Sequence, residues 1–171
     1  ILSQSGSKNL SFPSAMEWYF NIIAELSRHA VLTTPYTGRD HWPNLYCGTF
    51  VLILVVMYLL NRHVSWKKKL AYLAVVALFV VSFANNMLDF IWHGLHFPDS
   101  LPGRQSFLYV FVLLILSYEA VLKLAGNKMW HIAVASGVDA LFLLAGYYFS
   151  AEEMRSTDTY VTTAVLLAGY A

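Results

Sequence analysis

Charge is scarce in this chain. Of its 171 residues only 12% are Asp, Glu, Lys or Arg, where ordinary globular proteins carry about a quarter, while 58% are hydrophobic and the mean hydropathy is +0.54. A freely soluble domain is a poor fit to that balance, and a membrane protein is the first reading. There is a single cysteine, Cys47, so no internal disulfide can form and redox compartment cannot be read from it. Cys47 reads as a small apolar residue at a helix start. The sequence also lacks an internal repeat, a low-complexity tract and a charged-then-apolar signal segment ahead of its first apolar run. A net charge of +1 gives no basic surplus to attract nucleic acid.

What the chain has instead is length of apolar sequence. Runs at about 46–61, 70–88, 107–126 and 129–149 approach the roughly 20 residues that a helix needs to cross the hydrocarbon, and a fifth at 159–171 is still apolar at Ala171. The first is short and borrows Leu45 and Asn61 at its ends. The expected fold is all-α, a polytopic transmembrane helix bundle with four full spans and the start of a fifth. Because the chain starts at Ile1 and stops within an apolar run, it reads as an internal piece of a larger protein. Residues 1–45 form an extracytoplasmic segment. Within it Ser14 and Glu17 have capping-box spacing, and Met16, Phe20, Ile23, Leu26 and Ala30 recur at helical intervals, which predicts an amphipathic helix lying on the membrane surface or over the bundle.

Basic residues set the expected orientation. The 61–69 loop carries Arg62, Lys67, Lys68 and Lys69 with no acid, and Lys123 and Lys128 flank the 126–129 turn, so both are expected in the cytoplasm. Loops 89–106 and 150–158, with their acids, then lie outside. Trp42, Trp66, Trp92 and Trp130 fall at span ends, where an indole is best accommodated. Two acids lie within spans. Glu119 has Lys123 at i+4 to pair with, whereas Asp139 has no partner in sequence and is expected to make a buried polar contact with another helix. The short turn between their helices could bring the two acids to comparable depth in an antiparallel pair.

The densest chemistry lies between Asn86 and Phe107, a loop with two His, two Asp and one Arg. His93 and His96, at i,i+3, would share a helix face, and with Asp89 at i−4 from His93 they come near a metal set. Two imidazoles and one carboxylate are few ligands, and interfacial hydrogen bonding is the preferred role, with no metal or cofactor expected. Arg104 follows Pro102 and Gly103 and precedes a helix opening on Gln105, Ser106 and Phe107, which sets a guanidinium beside free helix amides. That combination suits a phosphate, with anchoring to lipid headgroups as the plain alternative. Asn86, Asp89, His93, His96 and Arg104 are therefore the candidate binding residues.

Three motifs in order carry a resemblance. Pro43-Asn44-Leu45-Tyr46-Cys47-Gly48 enters the first span; Asp89-Phe90-Ile91-Trp92-His93-Gly94-Leu95-His96 follows the second; Leu101-Pro102-Gly103-Arg104-Gln105-Ser106-Phe107 opens the third. The stretch they span, 43–107, is rather more than a third of the chain, and it resembles the YfhO family of bacterial membrane proteins, which is similar to the C-type glycosyltransferases (GT-C). The resemblance implies an enzyme of the bacterial cell membrane that moves a sugar from a polyprenyl-phosphate carrier to a cell-wall polymer, teichoic or lipoteichoic acid, on the outer face. It also implies a catalytic acid in a first outer loop that this sequence does not include. No catalytic base is assigned here. The competing classes are a transporter or flippase subunit, in which Glu119 and Asp139 would matter most, and a non-catalytic membrane scaffold.

Overall fold

The computed structural model describes residues 45–83, 85–96, 103–149 and 157–170. The amphipathic helix expected from Ser14 onward lies outside them. Among the described residues there is no strand, and the helices are α1 (Thr49–Leu60), α2 (Trp66–Phe83), α3 (Asn86–Trp92), α4 (Ser106–Leu122), α5 (Met129–Phe149) and α6 (Thr157–Tyr170), with a 3-10 turn at Leu124–Gly126.

The apolar run 129–149 is α5 to the residue. The run expected at 70–88 is not one helix. α2 already begins at Trp66, since lysines are good helix formers whose stems can lie along apolar surface, and it stops at Phe83. Asn85 is extended (φ −132°, ψ 116°) and its side chain accepts from the amides of Met87 and Leu88, which starts α3 as a separate helix. α3 then ends in a Schellman motif: Gly94 (φ 69°) donates to the Ile91 carbonyl and Leu95 (φ 62°) to that of Phe90. The run at 107–126 likewise closes early, at Leu122, before the 3-10 turn.

α1 is the hub. It packs against α4, α5 and α6, while α2 leans on α3 and α4. α4 and α5, although joined by a short turn, make little direct contact because α1 lies against both. Ile53, Leu54, Met57 and Tyr58 of α1 form the core with Leu113 and Leu116 of α4, and the fully buried Ala120 and Ala135 bring α4 and α5 into the same cluster. Ser117 Oγ adds a bond of 3.3 Å to the Val51 carbonyl. An aromatic group ties α2, α3 and α4 together: Phe79 stacks on Trp92 at 5.4 Å, Phe83 meets Tyr109 edge-on at 5.6 Å, and Trp92 Nε1 donates to Ser82 Oγ at 3.1 Å.

Around this apolar core the surface differs from that of a water-soluble bundle. Leu73 and Leu78 on α2, Phe111 and Leu114 on α4, and Leu141 and Leu144 on α5 are exposed, whereas Asn61, Asn85, Asp89, Gln105, His131 and Asp139 are buried. Such surfaces suit lipid, and polar groups inside suit a membrane protein's interior. Among the described residues one helix, Met129–Tyr148, is long and apolar enough by itself to cross a membrane. α1, at 12 residues, spans only about 18 Å of the roughly 30 Å needed.

Candidate functional site

At one end of the bundle, Asp89 holds the chain that leads into α4. Its carboxylate accepts from the Gly103 amide at 3.0 Å and from Gln105 Nε2 at 3.3 Å, so a single buried side chain on α3 grips both ends of the Gly103–Gln105 turn. Gly103 has φ 71°, a left-handed conformation that glycine adopts without strain. Between these two held residues lies Arg104. It is exposed, just ahead of the 17-residue α4, and has no ion-pair partner among the described residues.

His93 is the C-cap of α3 and faces the same carboxylate. Its Nδ1 lies 2.8 Å from the backbone carbonyl of Asp89 and 3.5 Å from Asp89 Oδ1. A carbonyl oxygen only accepts, so Nδ1 carries a proton and, in the neutral ring, Nε2 keeps the lone pair. Nε2 is buried and has no partner among the described residues, as is true of Asp89 Oδ2, Gln105 Oε1 and Asn85 Nδ2. Burial pushes the Asp89 carboxyl above the ordinary carboxylate range, opposed by His93, the Gly103 amide and Gln105.

Of the expected site residues, the structure brings together Asp89, His93 and the turn bearing Arg104. His96 is not among them. The left-handed residues Gly94 and Leu95 turn the chain away after Trp92, so His93 and His96 do not share a helix face, and His96 is exposed. Among the described residues no group of three or more His, Cys, Asp and Glu could hold a metal. The backbone of Asn86 opens α3, and its side chain lies outside what is described. Sequence reading overlooked Gln105 and Asn85. Asn85, an Asn just ahead of the seven-residue α3, carried an N-cap signal; nothing local marked Gln105 as a partner of a residue 16 positions earlier.

The two acids read within spans meet expectation only in part. Glu119 makes the expected i,i+4 ion pair with Lys123, at 3.9 Å, but its shorter contacts are to Lys68, at 2.6 and 2.8 Å. Lys68 comes from the neighbouring helix start and was invisible to an i+4 rule. Glu119 lies in the last turn of α4, while Asp139 is ten residues into α5, about 15 Å along its axis, so they are not at similar depth. The expected polar contact of Asp139 to another helix is not found among the described residues, where its buried Oδ2 lacks a partner. Close by, α5 and α6 enclose an apolar groove of about 460 Å³, walled by Ser136, Gly137, Ala140, Ala164, Leu167 and Ala168 among others.

Among the described residues the chain is helical, with polar groups buried, large apolar side chains on the surface and one helix of spanning length, features that fit a membrane protein. It belongs to the YfhO family: the family described as "Bacterial membrane protein YfhO" matches residues 2–171. No curated protein and no solved structure matches the chain.

Proposed function

We propose that this chain is part of a membrane glycosyltransferase that takes a sugar from a polyprenyl-phosphate carrier and passes it to a cell-wall polymer, teichoic or lipoteichoic acid, at the outer membrane face. Arg104 binds the carrier phosphate where it leaves the bilayer. The observation that supports this most directly is the Asp89 clamp, which holds Gly103 and Gln105 and leaves Arg104 between them exposed at a helix start. A positioned cation of this kind stabilises the phosphate as the sugar departs. His93 keeps its Nδ1 against Asp89 and so helps to hold the clamp behind Arg104. The α5/α6 groove is the place for an apolar carrier chain.

The test is sugar transfer by the purified full-length protein from a lipid-linked donor. Arg104→Ala is expected to lower turnover at saturating donor by about 100-fold or more. Arg104→Lys should fall between, because a lysine is a point charge and cannot bond two phosphate oxygens at once. Wild-type turnover for Arg104→Ala returns the residue to headgroup anchoring. One observation favours a second reading, a transporter or flippase subunit: among the described residues the buried Oδ2 of Asp139, on the helix long enough to span, has no partner. Loss of all activity in a stable Asp139→Asn protein, with Arg104→Ala active, selects that reading.

A further inference from the structure

We propose that the end of the bundle opposite Arg104 is a binding site for anionic phospholipid headgroups. The inference stands apart from the glycosyltransferase reading. Segments 61–69 and 119–131 meet there, and together they carry six cations, Arg62, Lys67, Lys68, Lys69, Lys123 and Lys128, against one carboxylate, Glu119. Glu119 is taken by Lys68, with Lys123 near it. Arg62, Lys67 and Lys128 are left exposed and without an ion-pair partner among the described residues.

These charges stand on a fixed platform. Asn61 Nδ2 donates to the Lys123 carbonyl at 2.7 Å, the Arg62 amide reaches the Gly126 carbonyl at 3.5 Å, and Gly126 lies directly against the Asn61 side chain. Cations held this way lose less freedom on meeting a ligand than the same residues on a mobile loop. α2 and α5 both start here and add the positive ends of two helices.

The neighbouring apolar residues select the kind of anion. Trp66 directly precedes Lys67 and Trp130 follows Lys128 by two; both indoles are more than half exposed, as are Met129 and Leu70. Small soluble anions and acidic protein surfaces have no use for indoles interleaved with lysines. Phospholipid does: the phosphate takes the cation, and the indole sits at the glycerol and upper acyl level.

The experiment is native mass spectrometry of the full-length protein in detergent with phosphatidylglycerol or phosphatidylcholine of the same chains. Wild type is expected to retain the anionic lipid preferentially. Substituting Arg62→Gln, Lys67→Gln and Lys128→Gln should erode the preference by about fivefold for each cation within reach of a headgroup, while Arg62→Lys should keep it. In wild type alone, with no variant to fold, rising ammonium acetate should weaken the preference by screening. A preference that survives the triple substitution, one indifferent to salt, or none at all overturns the proposal. So does inorganic phosphate that displaces phosphatidylglycerol at equal concentration, since the site would then take any small anion.

Discussion

Single residues hold the two ends of this bundle, and Gly126 shows how narrowly. It is not one of the glycines with positive φ, so its requirement is for space. A Cβ there would lie 2.2 Å from Asn61 Oδ1 and 3.0 Å from His63 Cγ. Asn61 cannot swing aside without loss, since Oδ1 accepts from the His63 amide at 2.8 Å while Nδ2 donates to the Lys123 carbonyl. Gly126→Ala is therefore expected to destabilise the protein by about 1–3 kcal/mol, measured as thermal or denaturant unfolding in detergent. The Asn61→Ala, Gly126→Ala double variant should be less destabilised than the sum of the two singles, because the clash needs both. Strict additivity would mean that the two residues do not touch. None of this was legible in the sequence, where Asn61 is only the polar residue that ends an apolar run and its partner carbonyl lies 62 positions on. Arg104 and Asp89 were legible as chemistry, because a cation and a carboxylate in a loop between apolar runs stand out by type. Their relation, one side chain holding the turn that presents the other, depends on a tertiary contact.

At the level of elements, α3 and the turn into α4 behave as a unit joined through one carboxyl group. Burial raises the Asp89 pKa in the folded protein, so the neutral form is the one the fold favours. The linkage then has a definite sign: the contribution of Asp89 to stability is complete below its ordinary value of 3.8 and is lost as pH rises through the elevated folded value. Asp89→Asn keeps an acceptor for the Gly103 amide and removes the titrating group. Melting temperature followed from acid to neutral pH should accordingly fall more steeply in wild type than in Asp89→Asn, with the other carboxylates cancelling in the comparison. Parallel curves would show that the group is as well solvated folded as unfolded. Element boundaries show why hydropathy misplaced this unit. It found α5, whose run is bounded by Lys128 and Ser150, but ran through Asn85, because a cap is a backbone geometry that leaves no dip in an apolar average. It also cut three lysines from the start of α2, where charge is compatible with helix.

For the whole molecule the shortness of α1 has to be reconciled with a membrane setting. Non-helical backbone is tolerated at membrane depth only where protein covers it. That condition is met at both ends of α1: Leu45, in the irregular lead-in, and Asn61, just past its last turn, are completely buried. Surrounded by α4, α5 and α6, this helix does not need to reach both lipid surfaces by itself. The two ends of the bundle then differ in kind, one holding Arg62, Lys67 and Lys128, the other Asp89, His93 and Arg104. We expect the basic end to face the cytoplasm, as the bias of lysine and arginine dictates. Single cysteines at Ser65 and Leu95, both exposed, test this in bacterial cells making the full-length protein with Cys47→Ser. An impermeant maleimide should label Leu95→Cys in intact cells and Ser65→Cys only after permeabilisation. The reverse pattern would invert the bundle and place Arg104 on the cytoplasmic side, out of reach of a cell-wall acceptor. Equal labelling of both would mean that α2, about 27 Å long, does not carry the chain from one face to the other.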